Sequence, residues 1–186
     1  MITDLERQKA LDLLVRSRQV LLDAVHGVSE EQARWKPAPD RWSIAEYVEH
    51  LAVSDDALIA LIERSLQTAA QPETEDQRRQ REKKIRETSI EHGVNQAPDN
   101  LKPNGRFGSL SGAIAAFLAA RERSLEYART TQEDLRSHFS PHPVLGPLDG
   151  YQWLVGNARH AETHAGNIRE VRNLAGFPKM TGVGSA

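Results

Sequence analysis

A chain of 186 residues with 24 basic and 26 acidic side chains is long enough for one well-buried domain and short for two, and it is too near neutral to present a general field to nucleic acid or an anionic membrane. It contains no cysteine, which removes disulfides, thiolate metal sites and cysteine nucleophiles, so any metal must be held by nitrogen and oxygen ligands. The opening "MITDLERQKALDLL" lacks a basic region followed by an apolar run, and no stretch approaches ~18 uninterrupted apolar residues. The expectation is therefore a soluble, cytoplasmic protein, one domain over residues 1–186, with no nucleic-acid or membrane partner.

The first element opens on "TDLE", where Thr3 can accept from the backbone at Glu6, and its apolar spacing through Leu11, Leu14, Leu21 and Leu22 predicts a helix over 3–26. "SEEQARW" offers Ser29 and Gln32 as a second capping pair, and Pro37 and Pro39 in "KPAPDRW" stop that piece. "SIAEYVEHLAVSDDALIALIERSLQTAA" starts on a Ser43/Glu46 box and reads as a helix over 43–70. Residues 71–108 break the pattern with a charged stretch and then Pro, Gly and Asn, which reads as a long loop or insertion. The basic run from Arg78 to Lys84 is accompanied by Glu75, Asp76, Glu82 and Glu87 and by no aromatic platform, so it reads as a solvated helix or loop rather than a nucleic-acid site.

Apolar spacing resumes at Leu110, Ile114, Phe117, Leu118, Leu125 and Ala128, predicting a helix over 109–132. Its small residues Gly112, Ala113, Ala115, Ala116, Ala119 and Ala120 permit close helix approach, either within the chain or between two copies. The turn-rich "FSPHPVLGPLDG" leads to a last helix over 149–175, capped by Asp149 with Gln152 and ended by Gly176 and Pro178. No run of alternating β-branched residues occurs. The pattern is all-α: a bundle of four long helices with essentially no sheet.

His160 and His164 lie four residues apart in the last helix, so their side chains point within about 40° of one another, one turn apart. Trp153, Asn157, Ile168 and Val171 share that face, while Arg159, Glu162, Arg169 and Glu170 fall on the other. On the helix from Ser43, His50 shares a face with Ser54, Ala57, Leu58 and Leu61, and Glu49, Asp56 and Glu63 fall elsewhere. Three inward imidazoles bring six ring nitrogens that need partners; one shared cation satisfies them more economically than three separate hydrogen-bonded sites, though both arrangements fit the pattern. Glu46, one turn before His50, is a candidate general base or outer acceptor, with its capping box as the alternative role. His142 is a candidate for substrate contact. His26, His92 and His138 are not needed by the cluster, and Asn157 and Asn167 flank it.

"WSIAEYVEHL" early and "HAETH" late, with the "SEEQARWKPAPDRWS" link and the "HPVLGPLDGYQWL" lead-in to the last helix, resemble the DinB/YfiT-like superfamily over nearly the whole chain. The resemblance implies a four-helix bundle, here with a long insertion at 71–108 between the second and third long helices. It places metal ligands on His50, His160 and His164 and implies a divalent cation, zinc or nickel ahead of iron or manganese. It points to a metal-dependent hydrolase or a low-molecular-weight-thiol S-transferase acting on a small molecule, and to a homodimer. The alternative is a non-enzymatic binding or dimerisation module stabilised by the metal.

Overall fold

The computed structural model describes residues 1–87 and 97–179; His92 lies outside them. Four long helices form the frame: α1 (Asp4–Val25), α3 (Ile44–Leu66), α5 (Leu110–Thr130) and α6 (Gly150–Asn173), with a short α2 (Glu30–Arg34) and an outer α4 (Glu75–Glu87) between them. The starts are set by side-chain caps. Thr3, Ser29, Ser43 and Asp149 each accept from the backbone three residues on and receive the reciprocal Glu or Gln contact, which satisfies donors that a bare helix end leaves open.

α1 packs chiefly on α6 and α3 on α5, with α3–α6 and α1–α5 contacts closing the bundle. The core has two apolar clusters. One gathers Leu21, Trp42, Leu51, Phe117 and Ile168; the other gathers Leu14, Ile62, Leu125, Leu135 and Leu154. Between them in sequence on α1, α3 and α5 sits a polar layer in which the fully buried Arg121 pairs with Asp55 at 2.7 Å, Ser124 donates to Asp55 at 2.9 Å, and Arg121 donates to Ser17 at 2.9 Å. Ala113 and Ala120 are buried in the bundle, so part of the small-residue stripe is used inside the chain, whereas Ala115 and Ala119 are exposed.

Two differences from the sequence reading bear on the site. The turn-rich segment is a hairpin, β1 (Phe139–His142) antiparallel to β2 (Gly146–Asp149), with Phe139 opposite Asp149 and His142 opposite Gly146. The all-α reading holds with this one short hairpin added: strands of four residues with Pro141 facing Pro147 carry no β-branched alternation, and both prolines are exposed on a two-stranded ribbon, where proline is tolerated. Gly146 takes φ +83°, a conformation that favours glycine at the turn. The second long helix also ends earlier than expected, at Leu66, where the Thr68 hydroxyl donates to the Ser65 carbonyl and closes the last turn.

Within 71–108, α4 is a solvated helix that buries only Ile85. It is held against the hairpin by Arg81, which donates to the Glu73 carboxylate and the Pro147 carbonyl, and by Lys84, which donates to the Leu145 carbonyl at 3.1 Å. Ile85 packs with Leu145 and Leu148. A 3-10 turn at Asp99–Leu101 then brings the connection back over α3. Among the described residues, no helix is long and apolar enough to cross a membrane.

Candidate metal centre

α3 and α6 bring His50, His160 and His164 together. Nε2 of His160 lies 3.2 Å from Nε2 of His50 and 2.9 Å from Nε2 of His164. His50 and His164 are buried and His160 is half-buried. Aromatic rings back the cluster, with Trp42 4.8 Å from the His50 ring and Tyr47 5.2 Å from that of His164.

The ring nitrogens on the outer side orient the imidazoles. Nδ1–H of His50 donates to the Leu101 carbonyl at 2.9 Å, which leaves Nε2 of that ring as an acceptor facing its neighbours. Nδ1 of His164 accepts from the Asn167 side-chain amide N–H at 3.3 Å, which holds that ring from its outer side. A proton on His160 Nε2 can be given fully to only one of the two neighbours, whereas one cation serves all three lone pairs. Zinc–imidazole bonds of ~2.0–2.1 Å in tetrahedral geometry put ligand nitrogens about 3.3 Å apart, close to the spacing here. The three-histidine cluster could hold a metal ion, and its all-nitrogen donor set is one of those open to a chain without cysteine.

His50 and His160 also line a cavity of about 360 Å³ enclosed by α3, α6, α4, the hairpin and the 98–101 turn. Its wall is largely apolar, with Leu58, Leu61, Ile85, Leu145, Leu148 and Trp153, and no carboxylate side chain of the described residues lines it. His142 belongs to this wall. Its ring lies 5.1 Å from that of Trp153, and its Nδ1 accepts from the Val144 and Leu145 amides at 3.1 and 3.2 Å, so the neutral ring carries its proton on Nε2.

Other candidates from the sequence fall differently. Glu46 is not among the residues that line the cavity; its carboxylate closes the Ser43 box at 2.7 Å and pairs with Lys36 at 2.9 Å. Asn157 lines the cavity, and Asn167 contacts His164, as flanking positions should. His26 is an exposed C-cap, and His138 contacts the Thr68 carbonyl at 2.9 Å, away from the cluster.

Sequence reasoning missed Glu49. The helical wheel sets it among the charged positions, yet it is only 5% exposed and its carboxylate accepts from the amides of Asn104, Gly105 and Arg106 at 2.7 to 3.3 Å. The "PNG" turn, with Gly105 at φ +80°, aims successive amides at one point, and this was the available signal. Glu49 thus anchors the segment that carries Leu101 to His50. Replacing Glu49 with Gln removes the charge that these amides share and should cost about 1–3 kcal/mol, with faster hydrogen exchange at 104–106 than elsewhere in the fold. Unchanged exchange there would refute the anchoring role.

The family model of the DinB superfamily matches this chain over residues 13–168, and the chain belongs to that superfamily. Over 146 residues the chain is 25% identical to the uncharacterized protein YuaE of Bacillus subtilis (strain 168), spanning 78% of this chain and 86% of that protein. No solved structure matches significantly.

Proposed function

We propose that this protein is a metal-dependent enzyme in which His50, His160 and His164 hold a divalent cation at one end of the apolar cavity, where a small-molecule substrate binds. The observation that carries this reading is the juxtaposition of the cluster and the cavity: His50 and His160 line the cavity, so the site is accessible rather than closed on all sides. A structural site would be completed by a fourth protein ligand, and no cysteine or carboxylate joins the cluster among the described residues.

Three neutral imidazoles leave a cation's charge uncompensated, and zinc or nickel bound there would supply Lewis-acid activation of a water or a low-molecular-weight thiol at neutral pH. The chain's own residues do the rest. Leu101 and Asn167 orient two of the imidazoles. His142 presents an Nε2–H whose proton can be donated to a developing anion or leaving group. The apolar wall excludes water from the reacting end. Pairing of two copies through the outer face of α5, where Ala115 and Ala119 are exposed, is part of the same proposal.

The test uses protein purified without a histidine tag. Elemental analysis should give about one zinc or nickel per chain, and light scattering a dimer mass. Loaded protein should either hydrolyse activated esters or transfer a low-molecular-weight thiol to an electrophile, with His142→Gln reducing the rate by about 10²-fold or more. Tight metal retention with neither reaction would instead identify the metal-stabilised binding module.

A further inference from the structure

The cavity has a second end. α3 and α6 run antiparallel along it: His50 meets His160 at one end, and Ile62 lies against Gly150 farther on. From His50 the α3 wall continues through Ser54, Leu58 and Leu61 to Arg64, fourteen residues on, which is about 21 Å of helix rise. Helical side chains lean towards the N-terminus, so the Arg64 stem points back along the cavity and leaves a span on the order of 15 Å between guanidinium and histidines.

Arg64 is exposed and its guanidinium forms no ion pair or side-chain hydrogen bond among the described residues, in a fold whose other arginines are largely paired. With no acid of the described residues in the cavity wall, no described carboxylate answers this charge. Arg159, the other arginine of the wall, also borders a neighbouring groove between α1, α4 and α6, so among the described residues Arg64 is the arginine that lines this cavity and not that groove. Between the two ends the wall is apolar, with Leu58, Leu61, Leu145, Leu148 and Trp153 along it.

We infer that the cavity takes an extended amphipathic anion: an apolar chain or ring system along Leu58, Leu61 and Trp153, a carboxylate bound by Arg64, and the reacting group at the histidines. This rests on reading the cavity as the substrate site, and names the class of substrate. Arginine suits a carboxylate because its planar fork gives two parallel charge-assisted hydrogen bonds.

Calorimetric titration with decanoate and 1-decanol, below their aggregation limits, tests the inference on zinc-loaded wild type, on chelator-treated wild type and on Arg64→Gln. Decanoate should bind about tenfold more tightly than the alcohol in both wild-type forms, Arg64→Gln should erase that preference, and Arg64→Lys should restore part of it. Equal binding of acid and alcohol, binding of neither, or a preference that survives Arg64→Gln overturns the inference. So does a preference lost on chelation alone, which would seat the carboxylate at the histidines. The metal reading fails separately: an Arg64-dependent preference in protein that retains no metal leaves the anion site standing.

Discussion

If the three histidines hold a cation, chelation should lower the melting temperature of the wild-type protein, and His50→Ala should remove that sensitivity. Two ligands on α6 cannot close a centre whose third comes from α3, so the variant should retain little of any bound metal. A ligand that binds only the folded state at about 100 times its dissociation constant stabilises by about 2.7 kcal/mol, and for a chain of this size each kcal/mol moves the midpoint by about 2–4 °C. The expected loss on chelation is therefore about 5–10 °C in wild type and near zero in His50→Ala, read by differential scanning calorimetry. If the three imidazoles were separate hydrogen-bonded groups, each alanine variant would lose stability independently, by roughly 1–3 kcal/mol, and chelator would change nothing.

A larger loss is expected in the middle of the bundle. Burial pushes the Asp55 carboxyl up and the Arg121 guanidinium down, each against the attraction of the other, with Ser124 supplying a further hydrogen bond to Asp55. Removing one partner leaves the other as an uncompensated charge at zero exposure, which costs about 3–5 kcal/mol. Asp55→Ala should lower the urea midpoint accordingly. The double replacement Asp55→Leu with Arg121→Met should recover most of the loss, because well-packed apolar groups carry no desolvation penalty there. A double variant as unstable as Asp55→Ala alone would show that the pair is net stabilising rather than merely matched.

How much of this was legible in the sequence follows from which interactions are local. The capping boxes at Thr3, Ser29, Ser43 and Asp149 are three-residue signals, and all four form as the sequence predicts. The histidines were legible because period and spacing put them on inward faces of two helices. Three features were not. The Leu101 carbonyl that orients His50 is backbone, and no side-chain pattern reports it. Glu49 looks like any surface acid until a distant turn supplies its amides. Arg159, assigned by the wheel to the side away from the histidines, stands at the cavity because the hairpin and the long connection wall off that side of α6, which a single helix cannot show.

Leu101 belongs to two places at once: its carbonyl holds the His50 ring, and the residue lines the cavity. If a molecule settling against the 98–101 turn alters how firmly that imidazole is held, it alters with it the affinity the cluster would have for a cation. Linkage then runs in both directions by the same factor, so occupancy of the histidines must shift affinity for the molecule as much as the molecule shifts theirs. The order in which cation and small molecule arrive then cannot alter the final complex, only the route to it.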